Sequence, residues 1–203
     1  MNRIVNSLAL LLCFVVSFSF AAGDPKAGKA KSELCQGCHG LDGNSVAPEF
    51  PNLAGQKAGY IVKQIKDFQR GHRVNDTMTG MAATVTSVGD LKDIAAYFSG
   101  QKMNKGGSGK SGLVNKGKKI FTKGTPSGAY GCINCHGTNG KGKSDHNDVF
   151  PVIGGQHKVY LVSQLKAFRK GDRSNDPAGM MGDIAKKLSD KEIDAVTEYL
   201  STR

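Results

Sequence analysis

The sequence predicts an all-α chain of two tandem helical domains, and three observations carry that expectation. Segments repeat at a constant offset of one hundred residues between positions 50–76 and 150–176. Apolar residues recur at helical spacing, with no convincing strand pattern anywhere. A C-x-x-C-H pattern occurs twice, once per repeat, at Cys35-Gln36-Gly37-Cys38-His39 and Cys132-Ile133-Asn134-Cys135-His136.

The chain opens on basic Met1-Asn2-Arg3, runs apolar from Ile4 to Phe20, and reaches small residues at Ala21-Ala22-Gly23. Residues 1–21 are therefore expected to be a cleaved secretory signal that sends the protein to the periplasm. The apolar run is at the edge of bilayer-spanning length, so an uncleaved anchor is the alternative. Cys13 lies inside the run without the small residues that precede a lipoprotein cysteine. Removing the signal leaves 182 of the 203 residues, room for one ordinary domain or two small ones. Hydrophobic residues make up 38% of the chain, too few for each half to build a core from side chains alone.

Asp24 followed by Pro25 supplies an N-cap and a first helical position, opening a helix that leads to Cys35. In C-x-x-C-H the two sulfurs bond a c-type haem covalently and the adjoining histidine ligates its iron. A thioredoxin-like C-x-x-C would follow a strand, and none precedes Cys35 or Cys132. Two cysteine pairs sharing one zinc stand about 15–20 residues apart, whereas Cys38 and Cys132 are almost a domain's length apart. Two structural disulfides would give no reason for a histidine after each pair. The expectation is two covalently bound haem c groups, one wrapped by each domain. Cys35, Cys38, Cys132 and Cys135 would attach them, with His39 and His136 as proximal iron ligands. The haems would also supply the apolar surface that each half lacks.

Phe50-Pro51-Asn52-Leu53-Ala54-Gly55-Gln56 is matched by Phe150-Pro151-Val152-Ile153-Gly154-Gly155-Gln156, and Tyr60 to Phe68 by Tyr160 to Phe168. Ile61, Ile65 and Phe68, like Leu161, Leu165 and Phe168, fall on one helical face, with Gly71 and Gly171 beyond the ends. Closing helices are expected from Asp90, with Leu91, Ile94, Ala95 and Phe98 inward, and from Ser189, with Ile193, Val196 and Leu200 inward. Ser189-Asp190-Lys191-Glu192 matches a capping box. These stripes read as core. Gln101 to Gly117 is rich in Gly, Lys and Ser and predicts a flexible, solvated linker. The domains are thus placed at 22–100 and 113–203, with residues 101–112 between them.

The ligand opposite each histidine must come from distant sequence. Met78 and Met81 stand in one repeat and Met180 and Met181 at the same place in the other, and such paired recurrence points to ligation rather than gap-filling. Aligning forward from Pro51 and Pro151 pairs Met81 with Met181, while aligning backward from Tyr97 and Tyr199 pairs Met78 with Met180, so the choice stays open at this level. His72, His146 and His157 have no counterpart in the other repeat and read as surface residues.

Taken together, the segments resemble the cytochrome c4 family, dihaem periplasmic carriers built from two class I cytochrome c domains. The likeness spans essentially everything after residue 21, including Gly40-Leu41-Asp42-Gly43-Asn44-Ser45, Leu53-Ala54-Gly55-Gln56, Met78-Thr79-Gly80-Met81, Gly154-Gly155-Gln156-His157 and Ile184-Ala185-Lys186-Lys187-Leu188-Ser189. It implies Met78 and Met181 as the axial ligands and two haems facing each other across a domain interface. The loop between Met81 and Asp90 departs slightly from the family pattern.

Histidine and thioether together leave neither iron open to substrate, so the expected activity is outer-sphere electron transfer rather than catalysis. The chain would act as a respiratory carrier, taking electrons from a membrane quinol-oxidising complex and delivering them to a terminal oxidase. The alternatives are a dihaem peroxidase, disfavoured by the doubled methionines, or the cytochrome subunit of a flavoprotein dehydrogenase. Charge is lopsided: residues 22–101 hold 9 Lys and Arg against 8 Asp and Glu, and residues 102–203 hold 18 against 9. The basic half is expected to steer toward an acidic docking surface on a redox partner or an anionic membrane face, allowing loose membrane association. A nucleic-acid partner is not expected of an exported chain without a binding motif, and the carrier is expected to be a monomer.

Overall fold

The computed structural model describes residues 23–143 and 148–203; the signal expected at 1–21 and His146 lie outside the described residues. In the first domain Asp24 caps α1 (Pro25–Lys31), its carboxylate accepting from the N–H groups of Lys26 and Ala27, with Pro25 in the first turn. The chain bends at Ser32 and restarts as α2 (Glu33–His39), so the single helix expected to reach Cys35 is two. Three helices follow: α3 (Ala58–Gln69), α4 (Asp76–Ala83) and α5 (Val88–Ser99). The last begins two residues before the expected Asp90, because the Ser87 hydroxyl accepts from the Asp90 N–H and caps it there. The expected apolar stripe is the core: Leu91, Ile94, Ala95 and Phe98 are all buried, and Ile61 of α3 packs with the last three.

The second domain repeats this order with α6 (Ser111–Lys123), α7 (Ile133–His136), α8 (Lys158–Lys170), α9 (Met180–Lys186) and α10 (Asp190–Ser201). The Ser189–Glu192 capping box is formed in both directions. Ile193, Val196 and Leu200 are buried with Ile120, Phe121 and Leu161. In each domain the first and last helices cross at a glycine. A Cβ on Gly28 would lie 1.9 Å from the Asp93 carbonyl oxygen of α5, and one on Gly117 would lie 2.0 Å from the Ala195 carbonyl oxygen of α10. Only glycine permits backbones this close.

The segment expected to link the domains carries hydrogen bonds and the start of a helix. Helix α6 already starts at Ser111, two residues inside the segment expected to link the domains. The residues before it, half of them exposed, are tied by hydrogen bonds to both domains. The Asn44 side chain holds the Lys102 carbonyl and the Asn104 N–H, at 2.9 and 2.7 Å. On the other side the Gly107 N–H donates to the Ser201 carbonyl and the Lys110 N–H to the Glu198 carboxylate. Glycine is used here for close packing, which composition alone reads as flexibility: a Cβ on Gly106 would lie 2.5 Å from the Gln156 carbonyl oxygen.

The domains meet through reciprocal contacts. Arg73 donates to Tyr160 Oη and Gln164 Oε1 at 3.1 and 2.9 Å, and Arg173 donates to Tyr60 Oη and Gln64 Oε1 at 2.9 and 3.2 Å. Each guanidinium also lies over a phenylalanine of its own domain, Phe68 at 4.7 Å and Phe168 at 4.4 Å. Residue i touching j while j's counterpart touches i's counterpart is the signature of a two-fold contact.

Candidate functional site

The first C-x-x-C-H segment lies within α2 and the second runs from Cys132, the N-cap, through α7, which places the two cysteines of each three residues apart on one face. All four thiols are unpaired and partly buried. Burial raises the Cys35 pKa and pushes the Cys132 thiol up to about 11. A thiol pair built for exchange chemistry has the opposite shift, toward the thiolate. Among the described residues no three His, Cys, Asp or Glu side chains gather as a group that could hold a metal ion.

The histidines are the most fixed part of each site. His39 and His136 are each only 5% exposed. His39 Nδ1 lies 2.8 Å from the Pro51 carbonyl oxygen, and His136 Nδ1 lies 2.9 Å from that of Pro151. A carbonyl only accepts, so Nδ1 carries the proton in both rings and Nε2 keeps its lone pair. That is the tautomer a metal-ligating histidine requires, with its outer nitrogen held by a backbone carbonyl. Burial lowers both pKa values, which keeps the rings neutral. Lys57, a residue of the first domain, lowers that of His136 further by its charge. Phe50 and Phe150 each stand edge-on to the histidine of their own domain at 6.3 Å. Phe50-Pro51 and Phe150-Pro151 were visible as repeated dipeptides, but sequence reasoning gave them no role at the site.

The methionines separate on geometry. Met78 and Met81 are both partly buried on α4; Met181 is partly buried, and Met180 is 38% exposed. The Met78 N–H donates to Asn75 Oδ1 at 2.9 Å, and the Met181 N–H donates to Asp176 Oδ2 at 2.6 Å. Four residues beyond each lies a fully buried alanine, Ala82 and Ala185. The buried alanine matches Met78 with Met181, a pairing neither sequence alignment produced, whereas the caps differ: Asn75 caps α4, and α9 starts after Gly179 without a side-chain cap. The offset arises at the 3₁₀ turn Pro177–Gly179, where Ala178 adopts φ 52°.

Of the unmatched histidines, His72 is exposed, with Nδ1 3.9 Å from Asp67 Oδ1. The surface expectation for His157 is corrected: it is partly buried, with Nε2 2.9 Å from the Ser45 carbonyl oxygen of the other domain. Ser45 is far away in sequence, and a residue without a repeat partner gave no signal of that contact.

Both sites therefore offer two free sulfurs, a neutral imidazole with Nε2 available, and a methionine whose N–H is held by a side-chain oxygen, a donor set that fits a covalently attached haem. The sequence model of the cytochrome c family matches residues 26–102 and 114–203. Cytochrome c4 of Pseudomonas aeruginosa is 43% identical over 98% of both chains. The thiosulfate dehydrogenase electron acceptor of Thiomonas intermedia is 32% identical over all of this chain and 92% of its own. The crystal structure of reduced recombinant cytochrome c4 from Pseudomonas stutzeri superposes with a TM-score of 0.82 at 43% identity, covering 89% of this chain and 99% of that one. Fold and site together define a tandem c-type cytochrome, an electron-transfer protein with two covalently bound haem c groups. More narrowly, the chain belongs to the cytochrome c4 family.

Proposed function

We propose that this chain is a periplasmic electron carrier of a respiratory chain, taking electrons from a membrane quinol-oxidising complex and passing them to a terminal oxidase. The observation that carries the reading is the duplicated site: two buried imidazoles, each locked by a proline carbonyl, joined through a buried polar interface. Cys35 and Cys38 attach one haem and Cys132 and Cys135 the other. His39 with Met78, and His136 with Met181, ligate the irons. When bound, each haem supplies one-electron Fe(III)/Fe(II) chemistry. The methionine sulfur would favour the reduced iron, the proline carbonyl fixes the orientation of each histidine ring, and histidine and methionine together would leave the iron closed to substrate. The buried alanine four residues beyond both Met78 and Met181, and the exposure of Met180, support this ligand choice.

A first domain at 22–100, a second that begins with α6 at Ser111, two residues ahead of the expected 113, and export by a cleaved signal at 1–21 belong to the same reading. Among the described residues no helix is long and apolar enough to cross a membrane. The excess of Lys and Arg in the second half steers the carrier to an acidic docking surface or an anionic membrane face. If so, electron transfer to the oxidase slows as salt rises; a rate independent of ionic strength removes the steering idea. A second reading comes from the full-length relative named as an electron acceptor of thiosulfate dehydrogenase: this chain would then take electrons from a dehydrogenase of a sulfur compound.

The test is a near-infrared spectrum of the oxidised protein. A sulfur-to-iron charge-transfer band with the intensity of two haems is expected, halved in Met78→Ala and in Met181→Ala and unchanged in Met81→Ala and Met180→Ala. Absence of the band, or carbon monoxide binding to the reduced protein, overturns the closed-iron carrier.

A further inference from the structure

Two side chains at the domain contact have no part in the reading above, although Gln56 and Gln156 are only 5% and 3% exposed. Gln156 Oε1 accepts from the Asn52 N–H at 2.8 Å, and its Nε2 donates to the Asn52 carbonyl at 2.9 Å. In the opposite direction Gln56 Oε1 accepts from the Val152 N–H at 3.0 Å, and its Nε2 donates to the Val152 carbonyl at 2.8 Å. Each Oε1 is fixed by one more donor, the N–H of the next residue, His157 or Lys57.

The N–H of Asn52 belongs to the same peptide group as the carbonyl of Pro51, the acceptor for His39 Nδ1. The N–H of Val152 likewise shares its peptide group with the Pro151 carbonyl that accepts from His136. A peptide group is conjugated, so an acceptor drawing on its N–H leaves its oxygen more negative. Chained hydrogen bonds strengthen one another in this way by roughly 10–30% per bond. A stronger bond at Nδ1 makes the imidazole more basic, which favours the oxidised iron and lowers the potential.

We propose that Gln156 is a positioning residue for His39 and Gln56 for His136, each glutamine setting the electron donation of the imidazole in the other domain through one shared peptide group. The inference rests on His39 and His136 being iron ligands. Gln156→Met and Gln56→Met keep side-chain bulk and remove all three hydrogen bonds of the glutamine, the two across the domains among them; Gln156→Glu keeps an acceptor for Asn52. The readouts are the two midpoint potentials and the Nδ1–H proton resonances of His39 and His136 in the reduced protein. Gln156→Met is expected to move the His39 resonance upfield and raise one midpoint, leaving His136 and the other midpoint in place. Gln56→Met should do the converse, and Gln156→Glu should return the His39 resonance toward wild type.

Equal movement of both resonances means a merely loosened interface and overturns the proposal, as does movement of neither or a Glu variant indistinguishable from Met. In the oxidised protein, ring resonances of a ligating histidine are displaced by the unpaired electron. If that displacement is missing at either histidine the ligand reading itself fails; if it is present without the crossed response, only the glutamine relay fails.

Discussion

Lys57 and His157 occupy the same place in the two repeats and treat their neighbouring sites differently. Lys57 brings a positive charge toward His136 and the Gly142 loop of the second domain, while His157 hydrogen-bonds the Ser45 carbonyl of the first. A cation close to a partly desolvated iron favours the reduced state. Lys57→Gln is therefore expected to lower one of the two midpoints and leave the other, measured by a spectroscopic redox titration. At this scale the sequence was legible where covalent chemistry dictates residue type and spacing, at the four cysteines and the two histidines after them. It was ambiguous at the methionines because the turn at Pro177–Gly179 shifts the register between the very landmarks used for alignment. It was silent about the histidine-orienting carbonyls of Pro51 and Pro151, since backbone acceptors carry no residue signature.

Among the helices, the crossing of α6 with α10 leaves no room for a side chain, and Gly117 is the residue that allows it. Gly117→Ala must push two backbones apart and is expected to cost about 1–3 kcal/mol, read by urea unfolding. Gly28→Ala should do the same to the first domain, because the distance there is equally short. The α6 helix was missed in sequence because its Gly and Lys content resembles a linker, although Leu113, Val114, Ile120 and Phe121 pack inward from it. By contrast α10 announced itself, having both a capping box and an uninterrupted apolar face. Glu198 on α10 joins Lys158 of α8 at 2.6 Å and the Lys110 N–H at 2.7 Å. The Lys158 contact holds its carboxyl below the usual range. A depressed carboxyl contributes stability above its unfolded pKa and loses it as pH falls through the folded one. Glu198→Gln should then cost about 1 kcal/mol at neutral pH, and the difference from wild type should vanish in acid, followed by thermal unfolding against pH.

For the whole molecule, the pair of buried arginine clusters makes the two domains a single body. Arg73→Ala combined with Arg173→Ala removes both guanidinium bridges and leaves Tyr60, Tyr160, Gln64 and Gln164 short of partners. Truncating one side of a buried charged hydrogen bond costs about 2–5 kcal/mol, so the double variant is expected to unfold in two separated calorimetric transitions where the wild type shows one. The repeat made the two domains plain from sequence. Their mutual grip was not, because its residues are spread over both repeats and each reads alone as an ordinary helical Gln, Tyr or Arg. A reciprocal contact of this kind between separate chains would be governed by mass action and would come apart on dilution. Here the ordered segment before α6 joins the partners, holding each at a fixed effective concentration around the other. A single backbone cut between Gln101 and Lys110 would turn this first-order association into a second-order one, and electron exchange between the halves would acquire a concentration dependence that the intact chain lacks.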